Sequence, residues 1–148
     1  MKISTKGRYG LRALVDLAIH GKSGVPVFLS DIARRQEISD KYLEQIATQL
    51  QRAGLVRTIR GRKGGYLLNK PEGQLKLSEI IAVLEGPICL VDCVKEPSTC
   101  ARSNSCFTRD IWTELSNKIE EVLAGYTLED IVKMQTEKDG AEGSMYYI

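Results

Sequence analysis

Histidine is nearly absent from this chain: there is one, His20, in 148 residues. No Gly-rich phosphate loop of the P-loop type occurs, and no nucleophile is paired with a catalytic base. With so little to perform substrate chemistry, an enzyme is not expected. No stretch approaches the ~20 apolar residues of a membrane helix. The basic opening, MKISTKGRYG, is not followed by an apolar signal core with a small-residue cleavage site. A cytoplasmic protein without a membrane partner is therefore expected. Cysteine is missing from residues 1–88 and 107–148. His20 falls in the first helical pattern, where a satisfied packing role is expected rather than ligation.

What is present is unevenly placed. Hydrophobic residues make up 43% of the chain, enough for a core in one ordinary domain or a small domain with an extension. The net charge of +2 conceals a division: residues 1–70 hold 14 Lys and Arg against 5 Asp and Glu, while residues 71–148 hold 7 against 14. A basic front half is the footprint of a surface that neutralises phosphates. An acidic back half is repelled from DNA and is expected to face away or to face a partner. All four cysteines, Cys89, Cys93, Cys100 and Cys106, lie in the polar segment CLVDCVKEPSTCARSNSC. In the cytosol such a cluster points to metal ligands or redox groups rather than structural disulfides. Thiolates gathered on a loop suit a soft metal or an iron–sulfur cluster.

The pattern of apolar residues supplies the organisation. Leu11, Leu14, Val15, Leu17 and Ala18 recur at helical spacing over residues 8–20, and Gly21 and Gly24 end that helix. A short second helix starts near Leu29 with Ser30 as its expected N-cap. After a turn at residues 36–39, Ser39 caps a third helix carrying Leu43, Ile46, Ala47 and Leu50, closed by Gly54. Two short strands, 55–59 and 66–68, flank the Gly-rich turn Arg60-Gly61-Arg62-Lys63-Gly64-Gly65. Three helices followed by a hairpin predict a winged helix-turn-helix. A further helix opens at Leu77 and ends at Gly86-Pro87, and a longer one runs from Phe107 to Leu123. A last helix starts near Thr127, and Glu137 to Gly143 reads as a flexible tail before the aromatic ending Met145-Tyr146-Tyr147-Ile148. The expected fold class is mainly α with a small β wing.

In a helix-turn-helix the second helix of the pair enters the major groove with its N-terminal residues against base edges. Lys41, Tyr42, Glu44, Gln45 and Thr48 are the candidates for that face. Gln pairs with adenine, Lys with guanine, and Glu accepts from cytosine. On the wing, Arg60, Arg62 and Lys63 are candidates for phosphate or minor-groove contacts, with Arg60 placed to enter the groove. A DNA reader joined to a thiolate-rich loop predicts a sensor that turns metal or redox state into transcriptional output.

The opening MKISTKGRYGLRAL, the YLEQ of the third helix, the wing GLVRTIRGRKGGYLL and a cysteine loop before a Trp-bearing helix together resemble the Rrf-two family of transcriptional regulators. The resemblance covers nearly the whole chain. Within the family the cysteine loop is similar to the iron–sulfur branch (IscR-like). LEGPI at 84–88, TLEDI at 127–131 and the aromatic ending are similar to the cysteine-metabolism branch (CymR-like). The resemblance implies a homodimeric repressor on a double-stranded DNA operator, with a long C-terminal helix that crosses to the partner and cluster-assembly proteins as suppliers. Lys41, Glu44, Gln45 and Arg60 take the readers' positions. The implied layout is a DNA-binding domain at 1–70, a connecting helix at 71–88, a cluster loop at 89–106, a dimerisation helix with a C-terminal helix at 107–136, and a flexible tail at 137–148.

Aligned on Trp112, the family's three cluster cysteines fall on Cys93, Cys100 and Cys106. The family's histidine ligand falls on Arg109, which stays protonated and cannot coordinate. The carboxylate donor of the nitric-oxide-sensing relatives falls on Arg8. Cys89 is therefore the expected fourth ligand, with an oxygen donor or an open site as alternatives. A two-iron cluster is the first expectation and a four-iron cluster the second. Zinc remains open, since the spacing from Cys89 to Cys93 suits a half-site while Cys100 to Cys106 is too wide for the other. A disulfide redox switch also remains open. The alternative function is a cluster-independent repressor of cysteine metabolism with structural zinc or redox thiols. An enzyme or electron carrier built on the cluster is the rival from another class.

Overall fold

The structure, a computed structural model, describes residues 2–145, so Tyr146, Tyr147 and Ile148 of the aromatic ending lie outside the described residues. It is mainly α-helical with one two-stranded antiparallel sheet, as the sequence pattern predicts.

Helix α1 spans Thr5–His20 and begins one turn earlier than its apolar pattern, because the Ser4 side chain accepts from the Gly7 amide and caps it. Helix α2 spans Leu29–Gln36. Ser30 is not its cap: the helix starts from Phe28, whose carbonyl accepts from Asp31 and Ile32 at 3.1 and 3.3 Å. The extended backbone at Phe28, not the nearest hydroxyl, sets the start. Helix α3 spans Asp40–Arg52, and there Ser39 does cap, accepting from Tyr42 N at 3.3 Å. Gly54 at φ +72° lets the chain reverse, so that the Leu55 amide reaches the Leu50 carbonyl at 3.0 Å.

Strands β1 (Val56–Ile59) and β2 (Gly65–Leu68) pair from Val56↔Leu68 to Ile59↔Gly65. Val27 adds a bridge to Tyr66, with N–H···O bonds of 3.0 and 2.8 Å in both directions. A Cβ at Gly65 would stand 2.6 Å from the Val27 carbonyl oxygen, so that position requires glycine.

Helix α4 spans Leu77–Glu85, and the cysteine segment follows with one short helix, α5 (Asp92–Lys95), and tight turns at Pro97–Thr99 and Ser103–Ser105. Helix α6 spans Phe107–Ala124 and α7 spans Leu128–Met145. Thr127 and Asp130 cap α7 reciprocally: the Asp130 carboxylate accepts from the Thr127 amide at 2.9 Å, and the Thr127 hydroxyl accepts from the Asp130 amide at 3.3 Å. Helix α7 extends into the stretch that reads from sequence as a flexible tail. Glu137, Lys138 and Ala141 are good helix formers, and Gly140 alone does not stop a helix already started by buried Leu128 and Val132.

One core unites α1 to α4 with the start of α7. Leu14, Ile32, Leu43, Ile46, Leu75, Ile80, Leu84 and Leu128 are its most deeply buried side chains. Leu75 and Leu128 meet where the two linkers zip together, through Leu77 N to Tyr126 O at 2.9 Å and Leu128 N to Leu75 O at 2.8 Å. The DNA reader and the back half thus share a framework, in which the apolar face of α3 is buried.

Candidate nucleic-acid interface and cysteine segment

Helix α3 separates its faces by the 3.6-residue period. Leu43, Ile46, Ala47 and Leu50 are buried, while Lys41, Glu44, Gln45 and Thr48 are exposed on the other side. Those four form one continuous polar face with donors and acceptors of the kinds that read base edges. The Thr48 hydroxyl donates to the Glu44 carbonyl at 2.8 Å, leaving its lone pairs outward. Tyr42 is placed differently. It is half-buried, and its ring meets Tyr9 of α1 edge-to-face, 6.3 Å between centroids. Arg12 lies over the Tyr9 ring, 5.4 Å from its centroid. Tyr42 thus helps to seat α3 against α1.

The wing tip carries Arg60, Arg62 and Lys63, all exposed, on a turn where Gly61 adopts φ +110° and the Gly64 amide donates to the Gly61 carbonyl at 3.0 Å. Gly61 is exposed and has no side chain, so the backbone there can approach a phosphate chain closely, whereas Gly64 is buried and a Cβ on it would clash with the Ile59 carbonyl. The polar face of α3 and the wing therefore present Lys41, Arg60, Arg62 and Lys63 exposed to solvent.

A buried ion pair that the sequence does not advertise fixes α1 to α2. Asp16 is 3% exposed and accepts from Arg35 through both Nε and Nη2, the shortest contact being 2.6 Å, and from Gln36 Nε2 at 2.8 Å. The hydrogen bond to Asp16 pushes the Arg35 guanidinium pKa up. His20 is exposed, with Nδ1 2.9 Å from the Asp16 carbonyl oxygen. It rests on the rim of this cluster and is not a packed core residue. The single signal in sequence is Asp16 itself, an acid inside the apolar run LVDLAIH.

The four cysteines are free thiols, all half-buried. Cys106 occupies the N-cap position of α6, where the Thr108 hydroxyl lies 3.1 Å from its sulfur. That hydrogen bond, helped by the backbone at Arg109, lowers the Cys106 pKa. Arg109 donates from Nε to the Cys93 carbonyl at 2.9 Å, and the Leu90 amide donates to the Ser116 hydroxyl at 3.3 Å. The segment is therefore pinned to α6 at two points. Among the described residues no three Cys, His, Asp or Glu side chains are grouped as they would be around a metal ion. The four sulfurs fit a thiophilic group in kind and number, and none is tied up in a disulfide. Holding such a group requires the segment to close around it.

Helix α6 carries Phe107, Ile111, Leu115 and Val122 along one side, 78%, 51%, 43% and 61% exposed. Ser116 is its buried residue among the described ones. No described helix is long and apolar enough to cross a membrane.

Residues 3–134 match the family described as Rrf2, iron-dependent transcriptional regulator. The chain belongs to the Rrf2 family. The regulator CymR of Bacillus subtilis is 40% identical over 150 aligned positions that cover all of both chains. The regulator IscR of Xenorhabdus nematophila is 37% identical over 142 residues, 96% of this chain and 85% of that one. The solved structure of T. potens IscR superposes with a TM-score of 0.77 at 39% identity, covering 99% of this chain and 97% of the other. The winged helix-turn-helix expected from the helix and hairpin pattern is thus the Rrf2 fold. The protein is a transcriptional regulator and not an enzyme. Both branches that the sequence resembles match at nearly the same identity, so the branch must be argued from the cysteine segment.

Proposed function

We propose that this Rrf2 protein is a homodimeric, cytoplasmic repressor whose affinity for a duplex DNA operator is set by an iron–sulfur cluster on the cysteine segment. The observation that carries the reading is the confinement of four free, half-buried thiols to one segment, Cys106 among them with its pKa lowered. Cys93, Cys100 and Cys106 would hold the cluster, with Cys89 as fourth ligand. A two-iron cluster is favoured. When bound, such a cluster supplies an oxygen- and redox-sensitive cross-link between thiolates, delivered by cluster-assembly proteins.

The chain's own residues define what that cross-link acts on. Arg109 and Ser116 hold the segment to α6, and Gly86 joins it to α4 and the reader core. Lys41, Glu44, Gln45 and Thr48 read bases, while Arg60, Arg62 and Lys63 grip backbone and groove. The apolar side of α6 supports pairing with a second copy, which sets the two reading helices roughly one DNA turn, ~34 Å, apart. At that separation a small change in pose alters the fit of both half-sites.

A second reading has its own support. The thiols are not grouped around a metal position, and similarity to CymR runs the full length. On that reading the protein represses without a cluster, and its cysteines bind zinc or act as redox thiols.

Anaerobic isolation separates the two. The expected result is stoichiometric iron and sulfide, visible absorbance, and operator affinities of the loaded and cluster-free protein that differ ~5- to 150-fold at matched salt. Alanine at Cys93, Cys100 or Cys106 removes the colour; alanine at Cys89 does so as well if Cys89 is the fourth ligand. Colourless protein that binds its operator normally supports the second reading.

A further inference from the structure

The last turn of α4 leaves the Val83 carbonyl without a donor in its own helix. In a continuing helix the Val83 carbonyl would accept from the amide of residue 87. Residue 87 is proline, which has no N–H. Gly86, at φ +87° and ψ −176°, turns the chain out of the helix, and its amide goes to the Ala82 carbonyl at 3.0 Å. Gln49 of α3 fills the vacancy: its Nε2 donates to the Val83 carbonyl across the helix–helix contact.

The position of Gln49 gives this bond a consequence. It follows Thr48 and lies one turn beyond Gln45, on the seam between the reading face and the buried face of α3. Its acceptor lies four residues before Pro87, where the cysteine segment starts. The opposite side of the same α4 turn is anchored to α1, where Glu85 accepts from the Ser4 amide at 3.0 Å and the Ser4 hydroxyl at 2.6 Å. Leu84 packs so closely on α1 that a Cβ at Gly10 would lie 2.5 Å from it. The turn is therefore fixed to α1 by the Ser4–Glu85 hydrogen bonds and by packing, and to the recognition helix by the Gln49 hydrogen bond.

We propose that Gln49 is a positioning residue that couples the cysteine segment to the recognition helix, so that displacement at Gly86-Pro87 changes the pose of Gln45 and Thr48 on DNA. The idea rests on the regulator proposed above and names the contact that carries its coupling. A shift of the segment tilts the last carbonyls of α4, and Gln49 must follow or lose its bond.

The test has two arms. The first uses cluster-free protein and operator DNA. Gly86→Ala strains a positive-φ position while its Cβ meets nothing within 4 Å. It is expected to lower operator affinity ~3- to 10-fold, and to have under ~2-fold effect in a Gln49→Met or Gln49→Glu background, the non-additivity of groups in one network. Methionine and glutamate keep the length but cannot donate to a carbonyl. An equal fall in all backgrounds overturns the proposal. The second arm compares loaded and cluster-free Gln49→Met. The affinity ratio between the states should collapse to within ~2-fold, with melting curves confirming that both fold. A purely structural role would lower both affinities and keep the ratio, which also overturns the proposal. Equal affinities in the two states of the unsubstituted protein would overturn the cluster-dependent function while leaving the first arm to decide Gln49.

Discussion

Residues 5–85 bury leucine, isoleucine and valine against one another, whereas residues 86–127 bury two serines, Ser103 and Ser116, among the described residues. The first region meets the ordinary condition for a folded unit, an apolar core, which Leu128 and Val132 of α7 complete. The second has its large apolar side chains turned outward on α6 and its thiols spread along a loop. A region built this way has α7 and the reader to order its ends, and on the proposed function it draws the rest of its order from a second α6 and from what the thiols bind. That division of labour suits a sensor. On the proposed function, the DNA-reading surface stays folded whatever the signal, and the part that senses is the part with least structure of its own.

The most direct way to break this comparison is to make one deletion in each region. Ile46 is 1% exposed and Ile111 51%. Ile46→Ala should cost ~2–5 kcal/mol in urea unfolding at any protein concentration, from lost burial and a residual cavity. Ile111→Ala should leave the protomer within ~0.5 kcal/mol. Its effect should appear at high protein concentration, where association stabilises the unsubstituted chain, and vanish on dilution. If both substitutions cost the same at all concentrations, α6 is packed within the protomer and the contrast is wrong.

The reading surface gives the next largest effects. Arg60→Ala should weaken operator binding by ~1–3 kcal/mol and relax base preference at one position if its guanidinium reads a base. Arg62→Ala and Lys63→Ala should weaken binding to all sequences alike and lower the slope of log affinity against log salt by ~1 each. Salt titrations of the three variants separate reading from gripping. Tyr42→Phe should be close to neutral for DNA, because it keeps the ring that packs edge-to-face on Tyr9.

The two regions also differ in how much of them is legible in the sequence. The reader announces itself: apolar periodicity, Ser39, Gly54 and the glycines of the wing each act locally, and each sits where the pattern puts it. Where local reasoning fails there, the cause is backbone geometry or distance. Ser30 loses the cap to the extended backbone at Phe28. Asp16 meets Arg35 across nineteen residues, and Val27 reaches Tyr66 across a turn and two helices, pairings that no window reveals. In the back half, spacing identifies thiols as donors, but whether they converge depends on a segment of short turns with no core to fix it. Arg109 illustrates the point. Its sequence position identifies it as a poor ligand; its hydrogen bond to the Cys93 carbonyl shows it as a strut. Even the tail follows the rule: a helix begun on buried Leu128 and Val132 continues past Gly140 because a nucleus, once formed, is cheap to extend.

The smallest effect tests the sensing region one thiol at a time. The Thr108 hydroxyl, with the backbone at Arg109, holds the Cys106 pKa below that of an ordinary thiol. A lowered pKa means that the thiolate, the form that reacts and ligates, is already present at lower pH. In cluster-free protein, alkylation monitored site by site should therefore label Cys106 first as pH rises. Thr108→Ala removes the largest contribution, so the midpoint for Cys106 should move up in pH, toward that of an unperturbed thiol. Thr108→Ser keeps a hydroxyl at the same place and should restore the low midpoint. If Cys106 titrates with the other thiols and Thr108→Ala changes nothing, the N-cap of α6 does not activate its cysteine, and the sensing half has even less built-in structure than its hydrogen bonds imply.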